Sequence, residues 1–139
     1  MRSPASPRRP TVRVVFEYAI VRVVPHVERE EFVNVGVAYF CEARAQLHLR
    51  LALDEQRLKT LAPNVDVDEI RRHLEAFEQV CRGGEQAGPI GELSPRERWR
   101  WLVAPRSTTI QTSAAHAALS DDLEGFTDRV LDRVVRPLR

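Results

Sequence analysis

The sequence predicts an α+β protein with two layers: an antiparallel four-stranded sheet, made of a three-strand meander plus one later strand, and helices mainly on one face. Three apolar runs follow one another between residues 12 and 53 with only short polar connections. That pattern is typical of consecutive antiparallel strands. The later segments carry apolar residues at three- and four-residue steps, and helices of this kind need a sheet to cover.

The strands are predicted from their composition and from the residues that end them. The first strand spans residues 12–24 and ends at Pro25, which cannot donate a ladder hydrogen bond. The second spans residues 32–41, and the third shows leucine alternating with polar residues over 47–53. The threonine-rich segment 107–113 predicts the fourth strand.

The short turn at residues 42–44 leads us to expect that the leucines of the third strand join the valines of the second on one face, under the helices. The opposite face would then carry four polar or small residues: Asn34, Gly36, His48 and Arg50. It would also carry Phe32, Ala38 and Phe40 with no helix left to cover them. An uncovered apolar patch usually marks an interface, so we expect a homodimer or a hetero-complex through this face.

Helix starts are marked by capping residues. Asp54 begins a short helix, Asp66 with Glu69 makes a capping box, Ser94 precedes a proline at the first turn, and a serine-aspartate run at 120–122 opens the last helix. We expect one core formed by residues of the sheet and of two helices: Val35, Val37, Leu49, Leu51, Ile70, Leu74, Phe77, Phe126 and Val130.

Length and composition predict a basic disordered tail over residues 1–11 and a single α+β domain over residues 12–139. The formal net charge of +1 argues against a nucleic-acid or membrane partner. Two cysteines, Cys41 and Cys81, fall at apolar positions and do not make a disulfide framework. With no secretory apolar segment after Met1, we expect a reduced, cytoplasmic protein.

No strong catalytic signature occurs in the sequence. There is no pair of histidines at zinc-helix spacing, no CxxC, no phosphate-binding P-loop and no GxSxG elbow. We therefore predict no metal and no cofactor, and assign no catalytic residue.

Two stretches are candidates for binding an anion or orienting a polar group. Glu31 lies just before the second strand and could orient Arg22 or contact a ligand; a solvated turn is the alternative. Arg106 and Ser107 follow a proline in a turn where a guanidinium, hydroxyls and backbone donors could hold a phosphate or carboxylate. The alternative is a strand start at which Arg106 pairs with an acidic residue.

Asn34 and Gly36 are poor strand residues in the middle of a predicted strand. A mid-strand glycine indicates a bulge or a close approach by another backbone or a ligand. Asn34 suggests binding, or a bulge in which its amide bonds to the loop at residues 26–31.

Several of these positions together resemble a known family. They are Tyr18, Arg22, Pro25, Arg29, Glu31-Phe32, Asn34-Val35-Gly36-Val37, Pro105-Arg106-Ser107 and Gln111. At these positions the chain resembles the bacterial domain of unknown function 3037 family, and the resemblance extends from about Val14 to the last helix. The resemblance implies a fold neighbourhood and no activity. Because genes of that family lie beside genes for HipA-like kinases, it also implies an accessory role with such a kinase as partner.

Two functional hypotheses follow. The first is a small accessory module that binds a protein partner or an anionic ligand without chemistry, through the face carrying Asn34, Gly36, His48 and Arg50. The second is an enzyme acting on a phosphate-containing or nucleic-acid substrate through a polar cluster of Arg22, Glu31, Arg106 and Ser107. Convergence of Arg22, Glu31, Asn34 and Arg106 in one pocket would favour the enzyme, and dispersal the binding module.

Overall fold

The computed structural model describes residues 12–137, so the predicted tail at residues 1–11 lies outside it. Within these residues one antiparallel sheet has the strand order β3-β2-β1-β4, and β5 also pairs with β1. The strands are β1 (Val14–Val23), β2 (Val33–Cys41), β3 (Gln46–Leu51), β4 (Ile110–Thr112) and β5 (His116–Ser120). The helices are α1 (Glu55–Leu61), α2 (Val67–Arg82), α3 (Pro95–Val103) and α4 (Leu123–Val134), with 3-10 turns at Val27–Arg29 and Glu85–Glu92. The predicted fold class is confirmed.

The predicted caps begin the four helices. The side chains of Asp54, Asp66, Ser94 and Asp122 each accept a hydrogen bond from the backbone N–H three residues further on, at 3.0–3.2 Å. Each cap thereby satisfies one of the N–H groups that a helix start leaves without a partner.

Helices α1, α2 and α3 cover one face of the sheet, and α4 covers part of the other. Ala38 and Phe40 of β2 pack with the first group, while Val37 and Tyr39 pack on the α4 side. Since successive strand residues point to opposite faces, the apolar residues form two cores separated by the sheet. The predicted single core is divided accordingly: Val35, Ile70, Leu74 and Phe77 lie in the first, with Leu49 and Leu51 packed against it, and Val37, Val130 and Phe126 lie in the second.

The predicted assignment of faces in the hairpin is wrong, because the turn has four residues rather than three. Cys41 pairs with Gln46, and Ala45 takes a left-handed conformation with φ 51° to close the turn. Odd residues of β2 therefore face even residues of β3. The leucines of β3 join Gly36, Ala38 and Phe40 under α1–α3, and Arg50 and His48 join Val37 and Tyr39 on the α4 face.

As a consequence, the apolar face that led us to expect an interface is covered by the protein's own helices. Ala38 and Phe40 are 0% and 4% exposed, packed in the core that includes Phe77 and Trp99. Phe32 stays exposed beside Arg22. The sheet face that favoured a homodimer is thus not available for one.

The middle of β2 contains a bulge, which is one of the two alternatives that Asn34 and Gly36 predicted. Val21 pairs with Gly36 and Arg22 with Asn34, so that Val35 has no partner on β1. The extra residue changes which side chains face each core: Val33 and Val35 both lie in the α1–α3 core, while Asn34 reaches the end of α4.

Two short strands, β4 and β5, occupy the side of β1 where the threonine-rich segment predicted a single strand. Only residues 110–112 of that segment form β4, and the small-residue stretch behind it forms β5, which pairs with the first half of β1. At the junction the hydroxyl of Ser113 accepts a hydrogen bond from Ile20 N at 2.9 Å, and Ser113 N donates to Ile20 O at 2.8 Å.

Arg98 is buried in α3 without a carboxylate partner. Its guanidinium donates to the carbonyl oxygens of Val80 at 2.8 Å, Cys81 at 2.7 Å and Leu93 at 3.1 Å. Two of these carbonyls belong to the last turn of α2, where the helix leaves acceptors unpaired and the dipole favours a positive charge. Arg98 therefore joins α3 to the C-terminal end of α2.

None of the helices in residues 12–137 has the length and apolar character needed to cross a membrane.

Candidate functional site

A groove of about 600 Å³ lies between α2 and the segment that leads from α3 into β4. Helix α2 supplies one wall, and the 3-10 turn at Glu85–Glu92 closes one end. The lining is mainly apolar: it has the exposed Ala76 and five residues of, or packed against, the α1–α3 core, namely Phe77, Val80, Ala87, Ile90 and Ile110. The groove therefore offers a hydrophobic surface at the place where the core reaches solvent.

Arg106 stands at the rim of this groove, over the ring of Trp101. Its Cζ lies 4.2 Å from the ring centroid, and its guanidinium donates to the carbonyl oxygens of Trp101 and Ala104. Partial burial lowers the pKa of Arg106, and no acidic side chain counteracts that effect. Among residues 12–137 Arg106 forms no ion pair, so the predicted alternative of an arginine paired with an acid is not what the structure has.

The residues after Arg106 add hydroxyl groups to the same rim. Ser107, Thr108 and Thr109 all line the groove. The hydroxyl of Thr108 donates to the carbonyl oxygen of Ile110 at 2.8 Å, which holds the turn before β4. Within the described chain the hydroxyls of Ser107 and Thr109 make no hydrogen bond, and both can serve a ligand. A guanidinium with adjacent hydroxyls is a donor set suited to a phosphate or carboxylate.

The opposite rim comes from residues that sequence analysis did not assign to a site. His73 and Gln79 project from α2, and Gln86 from the 3-10 turn. His73 also lies 3.6 Å from a carboxylate oxygen of Glu69, one turn earlier on the exposed side of α2. His73, the most distant of these residues, lies 33 positions before Arg106 in the sequence. Trp101 is near Arg106 in sequence but lies on a helix flank. No motif spacing in the sequence links these residues to Arg106.

Arg22 and Asn34 lie at a second place, opposite each other across β1 and β2 on the α4 face. The guanidinium of Arg22 is 4.1 Å from the ring centroid of Phe32, and its Nε is buried without a hydrogen-bond partner. Asn34 donates through Nδ2 to the carbonyl oxygen of Val134 at 3.0 Å. The amide thus caps the last turn of α4, and the predicted bond to the loop at residues 26–31 is wrong.

The three other predicted residues have structural partners of their own. Glu31 pairs with Arg29 in an exposed turn and does not orient Arg22. Arg50 forms an ion pair with Asp128 of α4 at 2.7 Å. Gly36 is packed against the backbone of β3. Of the seven candidates only Arg106 and Ser107 line one cavity, so Arg22, Glu31, Asn34 and Arg106 do not converge.

This is an α+β protein with an open antiparallel sheet, and its groove has an apolar floor and a single arginine on its rim. The chain belongs to the family described as Protein of unknown function (DUF3037), whose model matches residues 18–135. The predicted resemblance is confirmed over this span. No curated protein and no solved structure matches the chain.

Proposed function

We propose that this protein is a binding module whose groove takes an anionic ligand, with a phosphate or carboxylate at Arg106 and an apolar body along α2. The observation that carries this proposal is the uncompensated charge of Arg106 at the edge of an apolar cleft. A partly desolvated guanidinium without a carboxylate partner is a costly arrangement that an incoming anion relieves.

The groove also favours one orientation of the ligand. Trp101 backs the guanidinium plane, and the carbonyl oxygens of Ala104 and Trp101 take Nε and Nη2, which leaves Nη1 for an oxyanion. The free hydroxyls of Ser107 and Thr109 lie on the same rim. The apolar floor formed by Phe77, Val80 and other core residues begins next to this position. A ligand with both a charged head and a hydrophobic body uses both parts, and a free inorganic ion uses only one.

The dispersal of the predicted polar residues supports binding without chemistry over the alternative, an enzyme acting on a phosphate-containing or nucleic-acid substrate. That alternative needs Arg22, Glu31, Arg106 and Ser107 in one cluster, and two of the four, Arg22 and Glu31, contact other groups away from the groove. We also propose a reduced, cytoplasmic setting, which the free and buried state of Cys41 and Cys81 supports.

Binding is tested with three probes: phenyl phosphate for head and body, inorganic phosphate for the head, and benzyl alcohol for the body. The fluorescence of Trp101 and amide chemical shifts of residues 106–110 report occupancy. We expect phenyl phosphate to bind more tightly than either partial probe. Arg106→Ala should weaken it by roughly 10- to 100-fold, since a hydrogen bond to a charged group contributes about 1.5–3 kcal/mol.

The matched control is Arg72→Ala, which removes an exposed arginine of α2 that does not line the groove. It should leave the affinity unchanged. Equal loss in both variants, or no saturable binding of phenyl phosphate, contradicts the proposal. The partner implied by the family resemblance, a HipA-like kinase, would have to meet the groove through an acidic segment. Competition between phenyl phosphate and a purified kinase of this class distinguishes the two occupants.

A further inference from the structure

Strand β5 has one hydrogen-bonded side and one open side. It pairs with β1 over Val14 to Tyr18, and among the described residues no other strand lies on its outer edge. Exposed edges are usually protected by lysine, proline, a bulge or an inward-pointing charge. The sequence of β5, His-Ala-Ala-Leu-Ser, contains none of these. The edge is therefore competent to pair with a further strand.

Next to this edge two apolar side chains are unusually exposed. Leu119 of β5 and Val15 of β1 are cross-strand partners and are 54% and 66% exposed. By strand alternation both lie on the same face as Ala19, beyond the part of that face buried in the α1–α3 core. Ala117 lies on the same side, beside Leu119, and is exposed as well. A small apolar strip thus runs up to the open edge.

The direction of the free backbone groups follows from the pairing with β1. The carbonyl oxygen of Ile20 accepts a hydrogen bond from Ser113 N, so it points toward the β4–β5 side. Backbone groups alternate in direction along a strand, so Tyr18 and Phe16 point the same way, toward their partners His116 and Ala118. The N–H and C=O groups of Ala117 and Leu119 therefore point outward.

We propose that this edge pairs with the same edge of a second copy of the chain, antiparallel about a two-fold axis through Ala118. In that arrangement Ala117 and Leu119 of each copy exchange backbone hydrogen bonds across the axis. Leu119 then lies opposite Ala117 of the partner subunit, a large side chain against a small one. On the other face of the sheet His116 lies opposite Ser120 of the partner subunit, a polar pair.

This self-complementarity is what favours a second copy over an unrelated strand. None of the five side chains of β5 is an acid, a lysine or an arginine, so two copies approach without repulsion between like charges at the axis. The leucine–alanine and histidine–serine pairs occur twice by symmetry, and the strips around Val15 and Leu119 of the two copies become continuous. The resulting dimer has one sheet that runs through both subunits.

The test uses sedimentation velocity over a wide range of protein concentration, with small-angle scattering at the ends of the range. We expect a monomer with a radius of gyration of roughly 14 Å at low concentration and twice the mass of one chain at high concentration. Leu119→Lys places a charge opposite the partner, and Ala117→Pro removes an outward N–H that β1 does not use. Both variants should stay monomeric at concentrations at which the natural chain is dimeric.

Gln56→Lys is the matched control, because it adds the same charge on the exposed side of α1 and should leave the dimer intact. Melting temperatures show that the variants fold. Hydrogen exchange of the Ala117 and Leu119 amides in the natural chain should slow as concentration rises. A natural chain that stays monomeric throughout overturns the proposal, as does a dimer that both Leu119→Lys and Ala117→Pro leave unchanged.

Discussion

The carbonyl oxygen of Arg50 lies 2.5 Å from the point where a β-carbon would stand on Gly36. A side chain at that position would also meet Leu51, whose Cδ2 lies 2.8 Å from the same point. The glycine at residue 36 is therefore required by the approach of β3, the protein's own backbone, next to the bulge at Val35.

The first prediction concerns this contact. Gly36→Val raises strand propensity, yet it should lower the free energy of unfolding by roughly 1–3 kcal/mol, the range for overpacking. The reason is that the atom in the way is a backbone oxygen of β3, which cannot move aside as the end of a flexible side chain can. Urea denaturation measures the change. A midpoint equal to or above that of the natural chain would show that β3 can move away at no cost.

The second prediction concerns Arg98. Arg98→Met keeps much of the buried volume but leaves the carbonyl oxygens of Val80 and Cys81 without their donor. We expect a loss of about 2–4 kcal/mol, since each unpaired buried polar group costs on the order of 1–3 kcal/mol. Arg82→Ala is the control: it removes an exposed ion pair with Glu78 at the same end of α2, and should cost under about 1 kcal/mol. Similar costs in the two variants would contradict the role assigned to Arg98.

The third prediction concerns the core under α2. Phe77 is buried in the α1–α3 core, and Phe77→Ala should cost roughly 3–5 kcal/mol, the range for truncating a buried aromatic residue. Phe32→Ala truncates an exposed ring and should cost far less. Both are measured as shifts of the denaturation midpoint. An unchanged midpoint in Phe77→Ala would mean that α2 does not pack as described.

The fourth prediction concerns alkaline pH. Burial raises the pKa of the Cys81 thiol to about 12, from 9.0. A raised pKa means that the folded state keeps a proton that the unfolded state loses, so the stabilisation is complete below pH 9 and declines as pH rises toward 12. The expected slope from this thiol is about 1.4 kcal/mol per pH unit.

Cys81→Ala separates this effect from other groups that titrate at high pH. Burial, first, and then the nearby carboxylate of Glu124 also raise the pKa of Tyr39 from 10.0, so part of the alkaline loss persists in the variant. Unfolding in urea under a reductant at pH 8, 9, 10 and 11 gives the two curves. Parallel curves would show that Cys81 ionises in the folded protein as freely as in the unfolded one.

The sequence was sufficient to predict the four helices with their caps and four of the five strands, because strand composition, capping residues and helical periodicity are local properties. It failed where one residue changes parity. A turn of four residues rather than three moved the leucines of β3 to the other face, and β5 was missed because its small residues show no alternation.

The site was only partly predictable for a different reason. Arg106 and Ser107 were identified from adjacent chemistry, but their nearness to His73 and Gln86 depends on how α2 packs. Arg22, Glu31 and Asn34 are close in sequence, yet the bulge and the turn at Val27–Arg29 direct them to different partners. Arg98 gives no sign of burial in the sequence, since nothing local shows that carbonyl groups of another helix accept hydrogen bonds from it.

Helix α4 has a consequence for the order in which the chain can fold. All strands and all helices of the α1–α3 core precede α4 in the chain, whereas Phe16, Val37 and Tyr39 are covered only when α4 packs on the sheet. A chain in which α4 is not docked therefore has one closed core and one uncovered aromatic face. Exposed apolar surface of this kind promotes contact between chains, and the links of Asn34 to Val134 and of Arg50 to Asp128 hold α4 over it.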